Sequence, residues 1–173
     1  MKKILLIGIV TFAFNYASAQ ETKNNVVGWG KAVWGMNEED LIKTFPDAIK
    51  LEKPELVLHS DGTFVSIIIP NYKVGKQNFK VSFQMRPNTK TLSNILMELN
   101  DTPLNAIFDS ITNLLIEKYG EPKNKTESEY NKVILWVYPK TKITLTRIVM
   151  KDLNLDKLRI LYSQREGDES AKF

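Results

Sequence analysis

The chain has 173 residues, no cysteine, one histidine and a formal charge of +4 from 24 basic and 20 acidic residues. That composition excludes disulfide stapling, thiol chemistry and a zinc or copper site built from histidine and cysteine. The lysines at 73, 76 and 80 are scattered along turns and one strand, with neither the basic stripe nor the aromatic-rich motif of a nucleic-acid binder.

Lys2 and Lys3 precede an apolar run, Ile4 to Phe14, that is shorter than the about 20 residues needed to span a bilayer. Ala17-Ser18-Ala19 follows with the small residues of a cleavage site. Residues 1–19 are therefore predicted to be a signal peptide. The mature chain begins at Gln20, is exported to the periplasm or beyond, and has no integral membrane segment. No cysteine follows the site, so attachment through a lipidated cysteine is excluded. The leader carries two of the 24 basic residues and none of the 20 acidic ones, which leaves the mature chain at +2. Residues 20–162 suit one domain, long enough to bury a core without staples. The polar residues 163–173 read as a flexible tail.

Val26 to Trp34 reads as one strand, with Gly28 and Gly30 permitting a bulge and Trp29 and Trp34 as anchors. Trp34 is expected to pack beneath the helix that follows. That helix is capped by Asn37, carries Glu38, Glu39 and Asp40 in its first turn, presents Leu41, Ile42 and Phe45 on one stripe, and stops at Pro46. Residues 46–55 read as a connection. Leu56–His59 and Phe64–Ile69 read as a hairpin around Ser60-Asp61-Gly62, with Pro70 ending the second strand. Phe79, Val81, Phe83 and Met85 alternate with Lys80, Ser82 and Gln84, the pattern of a half-buried strand, and Leu92–Leu99 is its partner.

A long helix follows, with Thr102 as N-cap, Pro103 at its first position and Gly120 and Pro122 at its end. Leu104, Ile107, Phe108, Ile111, Leu114, Leu115 and Tyr119 fall on one face. Residues 121–132 read as a polar loop, and strands are expected near 133–138, 142–149 and 157–162.

Leu41-Ile42-Lys43-Thr44-Phe45-Pro46 is echoed by Leu115-Ile116-Glu117-Lys118-Tyr119-Gly120. Two helix-plus-meander units, 26–99 and 100–162, sharing one sheet would explain the echo. Trp-Gly-Met at 34–36, Phe-Pro at 45–46, Tyr-Gly-Glu-Pro at 119–122 and the late Trp136 resemble a set of small exported bacterial proteins of uncharacterised function. Their arrangement is similar to the β-lactamase-inhibitor-protein-like architecture, which outer-membrane lipoproteins of β-barrel assembly also use. The resemblance implies a helical element packed on an antiparallel sheet, sometimes in tandem, and brings no catalytic residues. The missing lipid-bearing cysteine and missing disulfides set this chain apart from those lipoproteins and inhibitors.

Three clusters have the residue types of a reaction centre. His59-Ser60-Asp61 has the members of a hydrolase triad, but neighbours in a tight turn cannot aim at one another. Asp152, Asn154 and Asp156 begin like a calcium loop, yet Lys157 stands where its glycine should be and Ser163 where its bidentate glutamate should be. Glu38, Glu39 and Asp40 are explained by the helix dipole. No catalytic, cofactor-binding or metal-binding residue is assigned.

The fold class is α+β: an antiparallel sheet of about six or seven strands with two helices on one face. Ile134, Trp136 and Tyr138 alternate with Val133, Leu135 and Val137, so both faces of that strand are apolar. With the second set under the helices, the first would form an exposed patch and bind a partner. The functional expectation is an exported, noncatalytic module that docks a protein or envelope component. The alternative is a carrier of a small apolar ligand, with a cavity lined by Phe79, Phe83 and Phe108. A hydrolase is a distant third.

Overall fold

The computed structural model describes residues 25–99 and 105–165. The expected signal peptide, the expected helix cap at Thr102 and Pro103, and residues 166–173 of the expected tail lie outside the described residues. The fold is α+β, with a two-stranded sheet and an antiparallel eight-stranded sheet, larger than the six or seven strands expected.

The chain begins with a small hairpin, β1 (Gly28–Trp29) and β2 (Ala32–Val33), rather than one strand. Gly30 turns it with φ of 59°. Helix α1 (Glu38–Thr44) follows, and the Asp40 amide donates to the Asn37 side chain at 3.0 Å, as an N-cap requires. A four-stranded meander comes next: β3 (Ile49–Leu56), β4 (Phe64–Val74), β5 (Gln77–Met85) and β6 (Leu92–Leu99). Helix α2 (Asn105–Tyr119) then precedes a second meander: β7 (Asn124–Glu127), β8 (Asn131–Val137), β9 (Thr141–Met150) and β10 (Leu155–Gln164). The sheet order is β3-β4-β5-β6-β10-β9-β8-β7, so each half is one helix and four strands and the halves join at β6 and β10.

Both strands that the sequence reading missed are edges. β3 occupies the expected connection, and its Lys, Glu and Pro residues stand mostly exposed with a bulge between Lys50 and Glu55. β7 is fully exposed within the expected polar loop. Charges, proline and bulges are what keep an edge from pairing with another chain, and they also erase the apolar alternation that marks a strand. The expected strand Leu56–His59 is mostly turn, with His59 at φ of 57°. β4 runs through Pro70 to Val74 because a register shift between Ile69 and Tyr72 accommodates the proline. Ser163 and Gln164 belong to β10 rather than to a tail.

The core lies between the helices and one face of the sheet. Rows of paired residues cross that face: Ile69, Val81, Met97, Ile160, Leu145 and Ile134 form one, and Phe83, Ile95, Tyr162, Ile143 and Trp136 another. Leu41 and Phe45 of α1 and Ile111, Leu115 and Tyr119 of α2 pack onto these rows. Trp29, not Trp34, is the aromatic beneath α1: its ring stacks on Phe45 at 5.8 Å and meets Tyr72 edge-on at 4.8 Å. Trp34 is half-buried beside β9, where its Nε1 donates to Thr141 Oγ1 at 2.8 Å.

Candidate functional site

The structure reverses the expected orientation of β8. Ile134 and Trp136 are 6% and 1% exposed and lie in the core, with Tyr138 packed against it. The end of α2 supplies the reason. Trp136 Nε1 donates to the Gly120 carbonyl at 2.8 Å, and the Tyr138 hydroxyl donates to the Tyr119 carbonyl. Carbonyls at a helix C-terminus lack partners within the helix, and these two aromatic donors satisfy them while filling the core. The three residues brought forward as a partner-binding patch therefore hold α2 to the sheet.

The face away from the helices carries the opposite parity. Its central row pairs Ile68, Ser82, Leu96, Leu161, Thr144 and Leu135 across six strands. On one side lie Gln84, Asn94, Ser163, Lys142 and Val137, and on the other Lys80, Glu98, Arg159, Thr146 and Val133. Leu96, Leu161, Leu135, Val133 and Val137 are all half-buried. Val65, Ser82 and Gln84 are buried on the same face. Arg159 Nε lies 2.9 Å from Glu98 Oε1, with both side chains part-exposed. The result is a central row of four aliphatic side chains interrupted by Ser82 and Thr144, with mostly polar flanks that end in Val137 and Val133 on β8, and without the aromatic side chains expected of a docking patch.

In each candidate reaction centre at least one side chain is already engaged elsewhere. Ser60 Oγ donates to the Val57 carbonyl at 2.7 Å, so the hydroxyl points back into its own turn. Asp156 takes both of its oxygens to Arg147, at 2.9 Å from Nε and 2.7 Å from a terminal nitrogen. That bidentate pair holds the guanidinium charged and removes the carboxylate from any calcium site. Among the described residues no cluster of three or more histidines and acids could hold a metal ion. Glu38 accepts from Lys50 at 2.6 Å, and this hydrogen bond lowers its carboxyl below the usual range. Glu39 pairs with Lys43 at 2.8 Å, one helical turn on.

The expected apolar-ligand cavity is not formed. Phe79 and Phe83 are wholly buried in the core, and Phe108 lies toward the other end, beside Thr112, Lys125 and Ile134. No family model matches the chain, and no curated protein or solved structure does. Among the described residues no helix is long and apolar enough to cross a membrane.

Proposed function

We propose that the protein is an exported, noncatalytic interaction module that docks a protein or envelope component through the uncovered face of its sheet. One observation carries this reading: the row in which Ile68, Leu96, Leu161 and Leu135 alternate with Ser82 and Thr144, flanked by rows that are polar except at Val133 and Val137. An apolar centre inside a polar rim is the composition of a protein–protein interface. The noncatalytic part rests on the hydrogen bonds and ion pairs that already use Ser60 Oγ and the carboxylates of Glu38, Glu39 and Asp156. Export rests on Lys2, Lys3 and Ala17-Ser18-Ala19.

The docking reading is tested by affinity capture from the envelope of the source cell. Wild type is compared with Leu96→Glu/Leu161→Lys, which places opposite charges on a directly paired site of the uncovered face, and with Glu117→Lys on the exposed side of α2. Proteins retained by wild type and by the α2 variant, and lost with the double variant at unchanged thermal stability, are the expected outcome. Retention that survives both leucine substitutions overturns the assignment of this face. The export reading is checked by the intact mass of protein from the same cells, and a chain that still carries residues 1–19 overturns it.

A further inference from the structure

The uncovered face is laid out symmetrically about the seam where β6 pairs with β10. Three of its strands, β4, β5 and β6, lie on one side and β10, β9 and β8 on the other. Outward from the seam, the central row runs Leu96, Ser82, Ile68 in one direction and Leu161, Thr144, Leu135 in the other. Both directions read leucine, hydroxyl, aliphatic. In one flanking row Glu98 and Arg159 meet at the seam, with Lys80 and Thr146 outside them. In the other, Asn94 and Ser163 meet there, with Gln84 and Lys142 outside them. Each position is therefore compatible with the one equally far across the seam: apolar with apolar, hydroxyl with hydroxyl, acid with base, lysine with a neutral polar group.

That layout decides what a second copy would meet. A two-fold axis along the seam, in the plane of the face, sets each residue of one copy over the residue equally far across the seam in the other. Leu96 then faces Leu161, Ile68 faces Leu135, Glu98 faces Arg159 and Lys80 faces Thr146, and no like charges directly oppose in the three rows. Packed sheets cross at about 30°, which displaces the pairs beside the axis little. The groups that would touch are accessible: the four aliphatic side chains are half-buried, and the Glu98 and Arg159 side chains keep 22% and 39% of their surface. Ser82 and Gln84 are buried, so contact at β5 falls to their neighbours. Three rows across six strands measure about 29 Å by 20 Å from ordinary strand and residue spacings. Two such faces would bury about 1,200 Å² together, the small end of stable, specific interfaces.

We propose that the uncovered face binds a second copy of this chain, forming a reversible two-fold dimer in which the two seams lie over one another, Leu96 packs on Leu161 and Glu98 meets Arg159. The proposal names the partner of the face assigned to docking and rests on that assignment.

Sedimentation velocity of the protein purified from its own cells tests it. Wild type should pass reversibly from monomer to dimer with a Kd on the order of 10 µM, as suits an interface of this size. Glu98→Arg leaves only arginines at that point of the seam, and Arg159→Glu leaves only glutamates. Each variant alone should dimerise at least about tenfold more weakly, because like charges then face one another. Mixed in equal amounts, the two variants set arginine against glutamate at both facing pairs, and dimer should return. Thr146→Lys leaves the Glu98–Arg159 pair intact, sets lysine against Lys80 of the other copy, and should also weaken the dimer. Thermal melts verify that the variants compared are folded. A wild type that stays monomeric at about 1 mM overturns the proposal. So do folded variants that dimerise as well as wild type, or a mixture of the two seam variants that recovers no dimer. A monomeric chain whose envelope capture is still lost with the leucine substitutions overturns the second copy and leaves the docking face to another partner, whereas capture that survives those substitutions strikes the docking face itself.

Discussion

Trp29 touches Phe45, Tyr72, Phe83 and Tyr162, which come from a helix end and three different strands. Removing it opens a void among four rings that cannot all close in, so Trp29→Ala should cost about 3–5 kcal/mol in a urea melt. Trp136 is as deeply buried and also satisfies a helix-end carbonyl, so Trp136→Ala should cost a similar amount, about 3–5 kcal/mol. Trp34 is half-buried, and its one hydrogen bond ends on a threonine hydroxyl that in turn donates to the Val26 carbonyl at 2.6 Å. Trp34→Phe keeps most of the ring contact and should lose about 1 kcal/mol. An ordering in which Trp34 exceeds Trp29 would contradict the packing. Burial of Tyr162 has a pH consequence of definite sign. Its folded-state pKa is raised, mainly by desolvation, so its contribution is fully present below the ordinary phenol pKa of about 10 and is lost as pH rises beyond it. Thermal melts between pH 9 and 11, taken as round values about that pKa, should show stability falling for wild type and falling less for Tyr162→Phe.

At the scale of elements, the N-terminal hairpin is held by close backbone approach. A Cβ on Gly28 would collide with the Ala32 carbonyl oxygen, which is backbone and cannot swing aside. Gly28→Ala should therefore displace the hairpin and with it Trp29, with a loss approaching that of Trp29→Ala; thermal unfolding of both variants measures the comparison. Elements with a strong local signature were legible in the sequence. Asn37, the acidic first turn and Pro46 defined α1, and the alternation from Phe79 to Met85 located β5, because capping and alternation act between near neighbours, although Ser82 and Gln84 on the other face of β5 are buried too rather than solvated. The edge strands β3 and β7 were not legible, since the charges and proline that protect an edge replace the periodicity. The orientation of β8 was not legible either. Val133, Leu135 and Val137 have the same apolar character as the residues that alternate with them, and the choice is made by carbonyls at Tyr119 and Gly120, on another element. A candidate surface inferred from β8 alone thus had even odds of naming the wrong side. The face itself becomes visible only when eight strands are in register.

For the whole molecule, the sheet order makes β6 and β10 the seam between two helix-plus-four-strand halves. The six-residue echo sits at matching places in them: Leu41 and Leu115 are both buried, and Phe45 and Tyr119 both turn an aromatic ring into the core at the helix end. Such halves could melt separately if the seam were weak. It is a strand pair like any other in the sheet, with Met97 opposite Ile160 and Ile95 opposite Tyr162, all buried. Further ties cross it: the Trp34–Thr141 hydrogen bond, and the contact of Trp29 with Tyr162 at 6.3 Å, join the chain start to the second half. Neither half could keep its core without the other, because dividing the sheet at β6 and β10 would uncover this central row. The expected behaviour is one cooperative transition, with amide signals from β4 and from β8 vanishing at the same urea concentration. Ile160→Ala should lower both midpoints together, at a cost of about 2–5 kcal/mol. Midpoints that separate, or a substitution at Ile160 that moves β8 and leaves β4 in place, would show two units folding independently on either side of the seam.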